Sequence, residues 1–252
     1  MLYLKAWRES RARFLLSLIF LCGLSSAVVF YFAFTHRHGR FQNHQALDYA
    51  HYIWGIIFKG GNSVREMFVL IVLFLGMGGL LRERAHGSAA FSLALPIPRW
   101  RFVAARGLVG FLEVSALALV PAATVLALSP AIGQSFPAAQ AIQFAILWSA
   151  CGAAFFAGAF LCSALVEGEY ASPVTAVIAL AIYSVTVNMS VLEDYPLNTL
   201  NIHSVMSGEG MPYFRPDIAQ ITALPWGTLI CILAIAAGFL ALSAHLTQRQ
   251  DF

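Results

Sequence analysis

Charge is what this chain has least of. Only 11% of its 252 residues are Asp, Glu, Lys or Arg, against roughly 25% in an ordinary soluble domain. From Val114 to Val166 the sequence contains no Asp, Glu, Lys, Arg or His. A surface helix of a soluble protein keeps one polar face, so this composition argues against a soluble globule and predicts a membrane protein.

Several signals of other protein classes are also missing. The four cysteines lie in apolar stretches without a Cys-x-x-Cys pair, so neither a zinc site nor a disulfide framework is expected. The net charge of +3 comes without a basic stripe interleaved with aromatics, so no nucleic-acid partner is expected. The sequence has no Gly-x-x-x-x-Gly-Lys-Ser/Thr loop, so the chain does not bind ATP through a P-loop. We expect no cofactor and no metal on this chain.

Six apolar stretches approach the roughly 20 residues that a helix needs to cross the hydrocarbon layer. The predicted fold is a single all-α polytopic transmembrane domain over residues 1–252, with helices at 14–34, 62–81, 102–128, 138–166, 173–192 and 224–245. The second stretch is the weakest, because only Met67 to Leu81 is free of charge. It must extend upstream past Arg65 and Glu66, or thin the bilayer.

The amino-terminal residues 1–13 are predicted to form a separate helix in the membrane interface. Apolar and aromatic side chains fall on one side of the helical wheel and most charges on the other, as in helices that lie in the headgroup region. A frayed tail is the alternative. Small residues predict close helix contacts: they recur at helix-packing spacing in Gly23 with Ala27, Ala154 with Gly158 and Ala234 with Gly238, and they cluster at Gly76, Gly78 and Gly79.

Both termini are predicted to lie in the cytoplasm. With that orientation ten of the 15 Lys and Arg residues fall on the cytoplasmic side, as the positive-inside rule requires. The predicted location is the bacterial cytoplasmic (inner) membrane.

The segment 82–101 between the second and third spans carries the most information. Ser88 is a plausible N-cap for a short apolar helix from Ala89 to Leu95, and Pro96 and Pro98 would end it. So few residues cannot cross a bilayer. We therefore expect a short helix at the cytoplasmic surface that docks on another protein, with a surface helix lacking any partner as the alternative.

This part of the chain resembles the permease subunits of ABC-2 type transporters. The resemblance is carried by Glu83, Gly87-Ser88, Leu95-Pro96, Arg99 and Arg106, placed between the second and third of six spans. The sequence departs from the family pattern where Ser88 stands for threonine, Arg106 for lysine and Pro98 for a small hydroxyl residue.

The resemblance implies the permease of an ATP-driven exporter. Two permease subunits, identical or related, would associate in the lipid bilayer, and two copies of a separate ATPase subunit holding ATP and Mg²⁺ would dock below them. The segment 82–101 would be the coupling helix, and short helices in the external segment 193–223 would cap the outer exit. The implied contacts with the ATPase subunit are Arg82, Glu83, Arg84, Gly87, Ser88, Phe91, Leu95, Pro96, Arg99, Glu167 and Glu169. The chain itself would not be an enzyme, and its 20 Phe favour an amphipathic or hydrophobic cargo such as a peptide, lipid-linked molecule or drug.

Glu113 is the only carboxylate well inside a predicted span. Such groups are costly and often mark a transport pathway or proton relay, so an ion-coupled secondary carrier using Glu113 is the main alternative. The glutamate could instead lie shallow enough to meet interface water or an arginine. No internal repeat of the kind carriers show is visible. An intramembrane enzyme is disfavoured, because His245 is the only histidine within a span.

The first external loop contains three residues that a metal could use. If the loop is helical, His44, Asp48 and His51 share one face. A solvated segment whose aromatics rest at headgroup depth is the favoured account.

Overall fold

The structure is a computed structural model that describes residues 2–37, 49–59, 64–77, 99–166, 171–187, 201–209, 211–215 and 220–249. Its helices are α1 (Leu2–Arg37), α2 (Tyr49–Ile53) with a π-helical turn (Trp54–Lys59), α3 (Val64–Gly76), α4 (Arg99–Leu128) followed by a 3₁₀ turn (Pro130–Ile132), α5 (Ala138–Leu165), α6 (Ala171–Val187), α7 (Ile202–Ser207) and α8 (Trp226–Arg249). A two-stranded antiparallel ladder, β1 (Phe214–Arg215) and β2 (Gln220–Ile221), precedes α8. The prediction of an all-α protein is confirmed in these parts of the chain.

Within the described residues, α1, α4, α5 and α8 are long and apolar enough to cross a membrane. α6 is apolar but has 17 residues. α3 has 13 residues, about 20 Å of helix, and the predicted remainder of its span from Gly78 onward lies outside the described residues. The structure is therefore that of a helical protein with several membrane-compatible helices, and six crossings stay a prediction.

The prediction that residues 1–13 form a helix separate from the first span is wrong. α1 runs without interruption from Leu2 to Arg37, so the amino-terminal residues continue the first long apolar helix. The sequence contains no proline or glycine before Gly23, and nothing else there ends a helix. Ala6 and Phe14 are both buried in the bundle, so packing favours the straight continuation.

α5 is the central helix of the bundle. It packs against α4, α8, α3 and α6, and 78% of its most apolar window is buried. A helix that is hydrophobic on all sides belongs in such a position. Its aromatic side chains interlock with the outer helices: the Phe144 ring stacks on Phe58 at 4.1 Å, and Trp148 packs against Phe68 at 4.9 Å.

Glycines set the closest helix contacts. A Cβ on Gly76 of α3 would lie 2.6 Å from the Phe156 carbonyl oxygen of α5, and one on Gly152 would lie 2.7 Å from Val114 Cγ1 of α4. The predicted close-packing glycines Gly23 and Gly238 instead have no described neighbour within 4 Å of that position. Close approach thus occurs where the helices surround α5, at Gly76 as its glycine cluster predicted and at Gly152, which the spacing in the sequence did not identify.

In the predicted external segment 193–223, α7 is the one helix among the described residues, and the β1–β2 ladder follows it. Asn201 caps α7, with its side chain accepting a hydrogen bond from the Ser204 amide at 3.2 Å. Gly208 ends α7 with a φ of 76°, a conformation that favours glycine. Trp54 stacks on Phe214 at 4.9 Å and fixes the ladder against the π-helical turn.

Candidate functional site

Most of the predicted contacts with an ATPase subunit lie outside the described residues. Arg99 is the exception, because it begins α4, although only its backbone is described. The remaining predicted contacts lie outside the described part of the chain; they are Arg82, Glu83, Arg84, Gly87, Ser88, Phe91, Leu95, Pro96, Glu167 and Glu169. The coupling region accordingly remains a prediction.

About two and four turns after Arg99, α4 contributes two charged side chains to a buried cluster. Arg106 forms an ion pair with Glu9 of α1, and Glu113 accepts a hydrogen bond from the Ser10 hydroxyl. Only 6% of Arg106 and 3% of Glu113 are exposed. We call Glu9, Ser10, Arg13, Arg106 and Glu113 the inner polar cluster.

The inner polar cluster joins three helices. Arg13 of α1 donates to the Phe74 carbonyl oxygen of α3 at 3.3 Å, while Glu9 and Ser10 hold α4. The residues enclose a cavity of about 40 Å³ next to Phe156 and Phe160 of α5. Buried charges are retained only where partners compensate for lost hydration, and here the partners come from different helices.

The contacts of the inner polar cluster also show at which level along the helix axes Glu113 lies. α1 and α4 run in the same direction, since Glu9 meets Arg106 and Cys22 further on lies 3.8 Å from the Thr124 hydroxyl. Glu113 is level with Ser10, which precedes Phe14, the start of the uncharged stretch of α1. The carboxylate therefore lies midway along α4 but level with the amino-terminal part of α1, and its level on α1 favours the shallow position over a site at mid-membrane.

A second polar site lies at the opposite end of the bundle. The outer polar pocket has a volume of about 220 Å³ and is lined by Lys59, Arg65, Glu66, Ser184, His203, Ser204, Ser207 and Glu209. The sequence did not identify this pocket. Its residues come from the π-helical turn, α3, α6 and α7, and no spacing in the sequence predicts that these short elements meet.

The charges of the outer polar pocket are internally paired. Arg65 donates to Glu66 Oε1 at 2.6 Å and 3.2 Å, and to the His203 carbonyl oxygen at 3.1 Å. The Lys59 ammonium lies 2.9 Å from Glu209 Oε1 and 5.3 Å from the Trp54 ring centroid. Trp54 in turn donates to the Ser207 carbonyl oxygen at 2.8 Å. The pairs therefore tie α3 and the π-helical turn to α7.

His203 and Ser184 form the one Ser–His contact of the described residues. His203 Nε2 lies 3.1 Å from Ser184 Oγ. Burial lowers the pKa of His203 below its usual value, the nearby positive Arg65 lowers it further, and Glu66 partly opposes the change. The Nδ1 atom has no hydrogen-bond partner among the described residues, whereas a catalytic histidine is oriented by a third group. This geometry supports a tether between α6 and α7.

The described residues contain no group of three His, Cys, Asp or Glu side chains arranged to hold a metal. Of the candidate external ligands, His44 and Asp48 lie outside the described residues. The ring of His51 packs edge-on against Trp54 at 5.3 Å.

No family model matches the chain, and the search of curated proteins found no match. The fold and the two polar sites define a helical protein suited to a membrane, with buried charge at one end and a paired polar pocket at the other.

Proposed function

We propose that the chain is the membrane-spanning permease subunit of an ATP-driven exporter of the ABC-2 type. In this proposal it lies in the bacterial cytoplasmic membrane with both termini inside, and pairs with a second permease subunit. Two copies of a separate ATPase subunit supply the energy for exporting an amphipathic or hydrophobic cargo. The resemblance in residues 82–106 supplies this assignment, and the inner polar cluster supports it physically.

The observation that carries the proposal is the connection between the start of α4 and α1. α4 begins at Arg99, within the last three residues of the proposed coupling region 82–101. Two turns later Arg106 is paired with Glu9, and two further turns on Glu113 accepts from Ser10. Because packed helices move as rigid bodies, a displacement that reaches the start of α4 also moves α1.

The secondary carrier with Glu113 as its coupling group is the second candidate. It is favoured by the burial of Glu113 in α4. Carriers bind their coupling ions near the bilayer midplane, between discontinuous helices. Glu113 instead lies level with Ser10, and α4 continues through Pro121 as one helix. We therefore rank the carrier below the exporter.

The test is reconstitution with an ATPase subunit. A P-loop protein that co-purifies with this chain is isolated, and both are placed in liposomes. We expect the permease to change the rate of ATP hydrolysis, and candidate amphipathic peptides to raise it further. Glu83→Ala should uncouple hydrolysis from transport while leaving the amount of membrane-inserted protein unchanged. Asp217→Ala, a carboxylate on the predicted external side, is the matched control and should retain coupling.

Two results would contradict the proposal. One is transport by the isolated chain in liposomes that contain no nucleotide-hydrolysing protein. If that transport follows an ion gradient and is abolished by Glu113→Gln, the carrier is correct. The other is coupling that survives Glu83→Ala together with removal of the remaining charges of the segment 82–101.

A further inference from the structure

A groove lies between the amino-terminal half of α1 and the middle of α4. The α1–α4 groove has a volume of about 480 Å³ and is lined by Tyr3, Leu4, Trp7, Phe14, Val109, Leu112, Glu113 and Ala116. All of these side chains are apolar or aromatic except Glu113. Its carboxylate is bonded to Ser10, on the side of α1 that faces the bundle.

The groove opens away from the bundle. Tyr3, Leu4 and Leu112 are 55%, 57% and 59% exposed, although each lines the groove. Exposed apolar side chains of this number mark a surface that meets lipid or a partner. The groove is level with the inner polar cluster and so lies at the same end of the helices, within the leaflet on the predicted cytoplasmic side.

Exposed cations lie on the amino-terminal parts of the two helices that form the groove. Arg8 and Arg11 on α1 and Arg101 on α4 are exposed, and none of them is paired with a carboxylate among the described residues. Arg101 lies 5.5 Å from the ring of Trp100, and Trp100 and Trp7 are 50% and 40% exposed. Tryptophan and arginine at such a position are typical of the headgroup region.

We propose that the α1–α4 groove binds one acyl chain of an anionic phospholipid, with the lipid phosphate held by the exposed arginines Arg8, Arg11 and Arg101. The apolar walls match the chain, and the unpaired positive charge matches the headgroup. Each Lys or Arg near an anionic membrane surface adds to the attraction. A zwitterionic lipid gains less, because its own cation faces the same arginines.

The positive charge of these arginines also argues against a second copy of this chain as the occupant of the α1–α4 groove. Two copies meeting at this groove would bring their exposed arginines together, and like charges in contact oppose association. The lipid proposal does not depend on the transport function, because it concerns the surface of α1 and α4 in any membrane that contains anionic lipid.

The experiment uses the full chain in lipid nanodiscs that contain a trace of photoreactive phospholipid with a diazirine on one acyl chain. Phosphatidylglycerol and phosphatidylcholine probes with the same acyl chains are compared, and the crosslinked peptides are mapped by mass spectrometry. We expect the phosphatidylglycerol probe to label residues 3–14 and 109–116 several-fold more than the phosphatidylcholine probe does. This comparison uses the unmodified protein and needs no variant to fold.

Variants separate the two parts of the site. The triple variant Arg8→Gln, Arg11→Gln, Arg101→Gln should bring the preference for phosphatidylglycerol close to one, while Arg215→Gln, an exposed arginine on the β1–β2 ladder, should keep it. Ala116→Trp fills the groove and should lower labelling by both probes at residues 3–14. Leu242→Trp, at an exposed position of α8, should leave that labelling unchanged.

Three results would overturn the proposal. Equal labelling of the groove by both probes in the unmodified chain would remove the anionic preference. Labelling spread evenly over the exposed helix faces would show an ordinary annular lipid contact without a site. Crosslinks between two copies of residues 3–14 would make a second copy the occupant.

Discussion

Among the residues of the inner polar cluster, we expect the substitution of Glu9 to lower the stability of the protein most. Its partner Arg106 is 6% exposed, so removing the carboxylate takes a charged partner away from a buried guanidinium. We predict that Glu9→Gln lowers the free energy of unfolding by about 1–3 kcal/mol, less than for a fully buried pair, because 34% of the Glu9 side chain is exposed. Unfolding in detergent micelles measures the difference.

Arg8→Gln is the matched control for this prediction. Arg8 is the neighbouring residue on α1 and is exposed, so its removal should change the stability by less than about 0.5 kcal/mol. Equal stability of the Glu9 and Arg8 variants would show that the Arg106–Glu9 pair does not hold the two helices together.

His203 makes the outer polar pocket sensitive to pH. Its pKa is lowered by burial and by Arg65, so near neutral pH and somewhat below it the unfolded chain binds more protons than the folded one. Linkage then requires stability to rise with pH in that range. We predict that the protein loses stability as the pH falls from about 6.5, the ordinary histidine value, through the lower value of the folded state.

Thermal unfolding between pH 8 and pH 5 measures this loss. The His203→Gln variant retains the other six of the seven histidines and should show a flatter dependence of the melting temperature on pH. The prediction is wrong if the unmodified protein and the variant have parallel pH profiles.

For single residues, the sequence indicated which side chains are chemically unusual but did not indicate which residues they contact. Glu113 stood out because a carboxylate among apolar residues is costly. Its partner Ser10 is 103 positions away, and their contact depends on the rotation of α1 and α4 about their axes. His203 and Ser184 were missed for the same reason, since their meeting depends on how α7 folds back over α6.

Among the helices, the contact of α3 with α5 is sensitive to side-chain size. A methyl group on Gly76 would lie 2.6 Å from the Phe156 carbonyl oxygen and 2.9 Å from Ala159 Cβ. The nearer atom belongs to a helix backbone and cannot turn aside. We predict that Gly76→Ala destabilises the protein by about 1–3 kcal/mol, the usual cost of overpacking, as measured by unfolding in detergent.

Gly23→Ala is the control for this substitution. No described atom lies within 4 Å of the position where its methyl group would be placed, and alanine is the better helix former. The variant should be as stable as the unmodified chain or slightly more stable. A Gly76→Ala protein as stable as Gly23→Ala would contradict the close contact between α3 and α5.

The long apolar helices were predictable because length and hydropathy alone determine them. The third to sixth predicted spans coincide with α4, α5, α6 and α8 to within a few residues, except that α6 ends at Val187 and the predicted span continues to residue 192, outside the described residues. The boundary near Phe14 was misplaced, because a helical wheel shows which side is polar and does not show whether the helix bends. The β1–β2 ladder, with two residues a strand, is too short to produce an alternating pattern.

For the molecule as a whole, the orientation in the membrane can be tested directly. The excess of cations near the amino-terminal ends of α1 and α4 predicts that this end is cytoplasmic. A cysteine introduced at Ala131, in the 3₁₀ turn after α4, should react with an impermeant maleimide in intact cells. A cysteine at Gln248, near the end of α8, should react only after the membrane is opened.

The background for this experiment is the chain with its four cysteines replaced by serine or alanine. It should give no labelling under either condition. The reverse pattern, with Gln248→Cys labelled in intact cells and Ala131→Cys protected, would invert the orientation and place the α1–α4 groove in the outer leaflet.

The unbroken course of α1 has a mechanical consequence. Its 36 residues extend about 54 Å, well beyond the roughly 30 Å of the hydrocarbon layer. Near its far end Phe32 packs against Tyr49 and Tyr52, with ring centroids 5.0 Å apart in each pair. Because α1 is one uninterrupted helix, a displacement of its amino-terminal end must also displace the contacts of Phe32 with these two tyrosines.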